Sequence, residues 1–160
     1  MKLMLVAVGT RMPAWVEAGF DEYARRMPSD AQLKLVQVKP EPRGESTPAA
    51  GTVARLTEAE ARRISLAIPQ KCLRVVLDER GKEWKTRELS ARLASWQMEG
   101  RDVAFIIGGA DGLHESVRRG ADFLWALSAL TLPHGLVRVI VAEQIYRAHS
   151  ILKKHPYHRD

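Results

Sequence analysis

Apolar positions recur along this chain with two different periods, and the switching between them predicts its elements. Leu3 to Val8 is a continuous apolar run closed by Gly9, the pattern of a buried strand. Pro13 opens a helix that carries Trp15, Val16, Gly19, Phe20 and Tyr23 at helical spacing, and Met27-Pro28-Ser29-Asp30 stops it. Leu33 to Val38 alternates apolar with polar and predicts a second strand. Between Lys39 and Thr52 the pattern lapses: prolines and glycines fall among charged and small residues, and we expect a mobile, solvated loop. Arg43 and Lys39 are its candidate RNA contacts, with simple solvation the favoured reading.

Val53 to Ala67 predicts a helix with Leu56, Ala59, Arg63 and Ile64 on one face. Leu73 to Leu77 predicts a short strand, followed by a turn at Asp78-Glu79-Arg80-Gly81. Thr86 to Glu99 reads as a helix with Thr86 as a possible cap and Leu89, Leu93 and Trp96 inside. Val103 to Ile107 is a strand emptying into Gly108-Gly109-Ala110-Asp111-Gly112. A short helix at His114 to Arg119, a strand at Phe123 to Leu127, a loop at Ser128 to His134 and a helix from about Leu136 to Lys153 complete the pass. Strands alternating with helices predict an α/β fold: a mainly parallel sheet with helices on both faces, in one domain spanning residues 1–160.

The last helix breaks the usual pattern. Leu136, Val139 and Ile140 form one apolar stripe, and Val137, Val141, Ile145, Ala148 and Leu152 form another. Two stripes point to burial on two sides, against the helix's own sheet and against a second copy of the chain; central packing within one chain is the alternative.

Composition narrows the partners. The formal charge of +6 and pI of about 9.8 favour an anionic partner. Cys72 is alone, so neither an intrachain disulfide nor a zinc cluster can form, which fits a reducing compartment. The apolar stretch in MKLMLVAVGT is short and broken, so it reads as a strand rather than a leader, and no run is long enough to span a bilayer. A cytoplasmic location without membrane contact is the expectation.

Several residues are equipped for chemistry. Glycines after a strand let a ligand approach the backbone, but GGADG is neither a dinucleotide fingerprint nor a phosphate loop, and a tight turn explains it equally well. Ser128-Ala129-Leu130-Thr131-Leu132-Pro133 has the small and apolar residues that suit an adenine-like ring, although its spacing alone does not make it a site. His114, His134, His149, His155 and His158 lack any metal-ligand spacing, so no metal is expected. His134 stands at the mouth of the possible pocket. Glu143 and Arg147 are spaced for a helical ion pair, which by spacing alone is their best explanation. Lys153, Lys154, Tyr157 and Arg159 give the tail the cations and the ring that suit a single-stranded RNA loop.

Taken together, LVAVGTRMPAWVEAGFDEYARR, GGADGL, LSALTLPHGLVRVIVAEQIYRA and HPYHR resemble the small SPOUT-class methyltransferases of bacterial ribosomes, and among them the enzymes that methylate N3 of a pseudouridine in 23S rRNA. The resemblance covers nearly the whole chain and is weak only from about Lys39 to Gln70. It implies an α/β fold with a C-terminal trefoil knot, a homodimer, and S-adenosylmethionine as methyl donor. It also implies that Leu77, Gly108, Gly109 and Ser128, Ala129, Leu130, Thr131, Leu132 and Pro133 contact that cofactor. The implied substrate is a pseudouridine in a stem-loop of 23S rRNA in the assembled ribosome. Lysine, arginine and histidine side chains near the base would stabilise the anion left when N3 loses its proton. His134, Arg147 and His158 are the candidates, with Tyr157 to stack on or orient the base and the tail at 153–160 facing the substrate, in its own pocket or across the dimer. Gly135 and His149 depart from the family's usual residues at those positions. A non-catalytic ribosome-binding module of the same fold is the alternative reading.

Overall fold

The computed structural model describes residues 1–159. The elements are β1 (Leu3–Val8), α1 (Ala14–Ala24), β2 (Leu33–Val38), α2 (Ala50–Ala67), β3 (Leu73–Glu83), α3 (Thr86–Met98), β4 (Val103–Ile107), α4 (Glu115–Arg119), β5 (Phe123–Ala126) and α5 (His134–Leu152), with a single 3-10 turn at Ser29–Ala31. Five strands form one sheet in the order β2-β1-β4-β3-β5, and every pair is parallel. The expected α/β architecture is therefore present.

Strand alternation divides the core in two. Leu3, Leu5 and Ala7 of β1, with Val103, Phe105 and Ile107 of β4, face one side and pack with Phe20, Leu89, Leu93, Val141 and Ile145 from α1, α3 and α5. Val6 and Val8, with Ala104 and Ile106, face the other and meet Ala61, Ile64 and Val117 from α2 and α4. Because both faces are covered, β1 and β4 read as unbroken apolar runs rather than alternating ones.

Local details correct the sequence reading. The turn expected at Asp78–Gly81 lies inside β3: Leu77 and Lys82 both pair with Trp125, and the four residues between them bulge out of register. Gly81 is required there, since a Cβ would lie 2.6 Å from the Leu124 carbonyl carbon. Thr86 does not cap α3. Lys85 holds the N-cap position, the Glu88 carboxylate accepts from the Lys85 N–H at 2.7 Å, and the Thr86 hydroxyl meets Gln144 Oε1 on α5 at 2.8 Å. The inner face of α2 is rotated from the expected one. Thr57, Glu60, Ala61 and Ile64 are buried while Leu56, Ala59 and Arg63 are only half-buried, because the buried Glu60 is drawn inward by an arginine partner.

Helix α5 packs against both α1 and α3. Its stripe of Val141, Ile145 and Ala148 is buried. From the other stripe, Val139 covers Gly19 of α1, where a Cβ would come within 3.0 Å, and Gly135 admits Val16 in the same way at 2.9 Å. Part of the second stripe is thus used within the chain, and Leu136 and Ile140 stay half-buried.

Candidate functional site

All five strands point their carboxyl ends toward one edge of the sheet, and the loops leaving them build two adjoining clefts there. This is where open parallel sheets bind ligands, because connecting segments diverge to opposite faces. The first cleft, of about 400 Å³, is formed by the loops after β3, β4 and β5. Leu77, Gly108, Gly109, Ser128, Leu130, Thr131, Leu132 and His134 line it, so the structure gathers the sequence-predicted cofactor residues into one pocket, apart from Ala129 and Pro133. Asp78, Trp125 and Val137 also line it and were missed by sequence reasoning.

The glycine cluster is both a tight turn and a pocket wall. Gly109 bridges back to Gly112, and Gly112 has a positive φ of 75°. A Cβ on Gly108 would lie 2.7 Å from the Gly112 carbonyl carbon, so no larger residue fits.

His134 and Arg138 anchor the wall. The His134 Nδ1 lies 2.6 Å from the Gly108 carbonyl oxygen, which can only accept, so Nδ1 carries the proton. Nε2 is then the acceptor for the Arg138 Nε–H at 2.8 Å. Burial, with the Arg138 charge adding to it, lowers the His134 pKa below the usual histidine range. His134 is therefore a neutral imidazole with both nitrogens engaged, a positioning group rather than a source of positive field. Arg138 is only 1% exposed and also donates from Nη2 to the Gly9 carbonyl at 2.9 Å. It faces no carboxylate within ion-pair distance among the described residues, and burial lowers its pKa. Its signal in the sequence was an arginine in register with Val141, Ala142 and Ile145 on the inward face of α5, where a charge has no place unless its donors are used.

The rim of the pocket carries negative charge. Asp78 is bonded by Arg118, which also donates to the Leu113 carbonyl at 2.6 Å, and accepts from the Arg80 N–H at 2.8 Å. Burial works against ionisation of Asp78, but these bonds outweigh it and hold its carboxyl below the usual range.

Arg43 was expected in a solvated loop, and the structure instead engages it within the chain. Its guanidinium spans Glu60 Oε1 at 2.9 Å and Asp111 Oδ2 at 2.6 Å, tying the segment after β2 to α2 and to the glycine loop. The hydrogen bond to Glu60 is the main cause of its raised pKa, with Asp111 contributing. A long-range pair of this kind has no periodicity to betray it. Lys39 remains exposed.

The remaining candidates gather elsewhere. Arg147 pairs with Glu143 at 2.6 Å, as its spacing predicted, and Tyr157 donates its hydroxyl to the same Glu143 oxygen at 3.0 Å. The Arg147 guanidinium lies 4.7 Å from the centre of the Tyr157 ring, which also meets Tyr146 edge-on at 4.7 Å. Burial, then the Glu143 carboxylate, raises the Tyr157 pKa, so its hydroxyl stays protonated. His158 follows, half-buried. At a rise of about 1.5 Å per residue, Arg147 stands roughly 20 Å from His134 along α5. One chain does not bring the tail cluster to the pocket.

Among the described residues there is no cluster of metal-ligand side chains and no helix long and apolar enough to cross a membrane. The family described as "Predicted SPOUT methyltransferase" matches residues 1–158. The protein called Ribosomal RNA large subunit methyltransferase H from Burkholderia mallei (strain SAVP1) is 53% identical over 159 residues, 99% of each chain. A probable methyltransferase from Bordetella pertussis Tohama I shares the fold, with a TM-score of 0.56 at 17% identity over 91% of this chain and 95% of its own. The methyltransferase Lpg2936 from Legionella pneumophila, solved with bound SAM, matches with a TM-score of 0.50 at 14% identity over 93% of this chain and 66% of its own.

Proposed function

This chain belongs to the SPOUT methyltransferase family, and from that premise we propose that it uses S-adenosylmethionine to methylate N3 of a pseudouridine in a stem-loop of 23S rRNA, on the assembled ribosome. The observation that carries the reading is the pocket of backbone and apolar walls at the sheet's carboxyl edge. Its residues fit the cofactor. Leu77, Leu132 and Val137 offer a purine apolar contact, and the backbone at Gly108, Gly109, Ser128 and Leu130 to Leu132 offers hydrogen bonds. Exposed Glu79 lines the pocket beside Asp78, whose own charge Arg118 and Arg80 balance, and puts a carboxylate at the mouth of a pocket that takes a cationic ligand. The Burkholderia relative's name supplies the large-subunit rRNA substrate, and the net charge of +6 agrees with an RNA partner.

When bound, the cofactor supplies an activated methyl group: its S–CH3 bond breaks as N3–CH3 forms, S-adenosylhomocysteine leaves as a neutral thioether, and the N3 proton passes to solvent. The chain's own residues do the rest. His134 and Arg138 hold the Gly108 carbonyl and so fix the pocket wall. Arg147, on exchanging Glu143 for the substrate, offers the positive field that stabilises the deprotonated N3, a base with no charge until then. Tyr157 stacks on or orients the base beside it, with His158 adjacent in the tail. Since these residues lie roughly 20 Å along α5 from His134, the reading requires a homodimer in which the tail of a second copy reaches the pocket of the first. The half-buried Leu136 and Ile140 are available to such an interface. A trefoil knot belongs to the same reading, the segment from β5 to α5 threading past the loop after β4, to which His134 ties it.

The test is to incubate the protein with labelled S-adenosylmethionine and ribosomes lacking the modification, then map the methyl. Label on N3 of one pseudouridine in the large subunit is expected. Label on the small subunit, or on naked RNA only, overturns the substrate, and no S-adenosylmethionine binding in calorimetry makes the chain a non-catalytic ribosome-binding module instead.

A further inference from the structure

Beside the cofactor pocket lies a second cleft of about 680 Å³ at the carboxyl ends of β1, β2 and β4. The two clefts share Gly109, Ala110 and His134, so the glycine loop is a thin septum between them. Nothing in the reaction described so far uses the second compartment. Its size falls in the range of about 300–1,000 Å³ typical of small-molecule sites, ample for one nucleotide.

The chemistry of its walls is specific. Met12, Pro40 and Pro42 give it an apolar side, and Arg11 and Lys39 stand exposed beside them. Other charges nearby are already paired: Arg43 with Glu60 and Asp111, which leaves one carboxylate in excess, and Glu41 with Arg63. Arg11 and Lys39 have no ion-pair partner among the described residues, so two unpaired cations face the cleft against that one surplus carboxylate. The cleft is also held in shape. Arg63 donates to the Lys39 carbonyl at 2.9 Å, Arg43 to the Glu41 carbonyl at 2.8 Å, and Arg138 to the Gly9 carbonyl at 2.9 Å. With the main chain pinned at three points, little ordering cost falls on binding.

We propose that this second cleft seats the acceptor nucleotide, its base on the apolar side of Met12, Pro40 and Pro42 and the RNA phosphates on Arg11 and Lys39. The inference rests on the methyl-transfer reading above. The septum at Gly109 is bare backbone, and a Cβ there would lie 3.0 Å from Val8, so the loop lies this close to β1 as glycine. A base turned out of an RNA loop costs little to unstack, and a narrow apolar slot beside two phosphate-binding cations accepts it.

The experiment measures methylation of unmodified ribosomes with labelled S-adenosylmethionine by Arg11→Ala/Lys39→Ala. The reference is Lys34→Ala/Lys71→Ala, which removes two exposed cations near the amino ends of β2 and β3. The expected result is a KM for ribosomes raised at least tenfold, a kcat changed less than threefold, and unchanged S-adenosylmethionine affinity by calorimetry. The slope of log KM against log salt should also fall by about 1.5, two phosphate contacts' worth. Arg11→Lys, which keeps the charge, should recover most of the loss. Thr10→Trp, which fills the cleft without touching its charges, should lower kcat/KM for ribosomes and leave cofactor affinity alone. A rise in KM no greater than that of the reference pair overturns the proposal, as does full activity in Thr10→Trp. If the wild-type protein methylates a different RNA, the substrate reading fails by itself and the same comparison of KM is made on that RNA.

Discussion

The two ends of α5 are built on opposite principles. At its N-terminal end, the half-buried His134 and the buried Arg138 are bonded to main-chain carbonyls, with no carboxylate as partner among the described residues. At its C-terminal end, Arg147, Glu143 and Tyr157 are half-exposed, paired by charge and stacked on one another. The first end cannot relax without leaving buried polar groups unpaired, which costs about 1–3 kcal/mol for each. The second can exchange partners at low cost, since an exposed ion pair is worth at most about 1 kcal/mol. A rigid end suits a cofactor pocket whose shape must persist; an adjustable end suits a surface that meets RNA or a second copy of the chain.

The contrast can be broken most severely at Arg138. Arg138→Ala removes the donors to Gly9 and His134 and opens a cavity, so we expect about 3 kcal/mol of lost stability in urea denaturation. Arg147→Ala should cost less than 1 kcal/mol by the same measurement, and equal losses would erase the difference between the two ends. A chain ending before His155 tests the adjustable end. Its kcat on unmodified ribosomes should fall about 100-fold, or ~2.7 kcal/mol, with S-adenosylmethionine affinity unchanged. Unchanged kcat and KM would remove the tail from the reaction. At the rigid end, Gly108→Ala forces the glycine loop off Gly112. Cofactor binding measured by calorimetry should weaken about tenfold, near 1.4 kcal/mol.

The smallest effect is in pH. Burial lowers the pKa of both His134 and His149 from a starting value of 6.5. A histidine depressed in the folded state binds its proton more readily when unfolded. Stability is therefore complete above about pH 6.5 and falls as the pH drops below it, by at most about 1.4 kcal/mol per pH unit for each group. Urea midpoints at pH 7.5, 6.5 and 5.5 should decline in the wild type and decline less in His149→Gln. A midpoint that rises on acidification would show that these imidazoles are charged in the fold.

Much of this architecture was legible because periodicity is a local property. The apolar runs of β1 and β4, the break at Gly9, and the ion pair of Glu143 with Arg147 each depend on residues a few positions apart. The cofactor wall was found through a resemblance of motifs, since neither GGADG nor SALTLP identifies itself by spacing. Three things were out of reach of the sequence. Arg43 looked like a loop cation until Glu60 and Asp111 were brought to it from 17 and 68 residues away. His134 looked like a possible positive charge beside the base until Gly108 and Arg138 took both its nitrogens. Arg11 is unremarkable in the chain, and it joins Lys39, a candidate RNA contact by its loop alone, only because β1 and β2 end side by side. The chain's order of apolar and polar residues determined the strands and the helices, though not the inward face of α2, which lies around the buried Glu60. The tertiary structure alone decided which polar groups meet, and so which charges are neutralised and which are left for a ligand, because those pairings depend on distances the linear order does not contain.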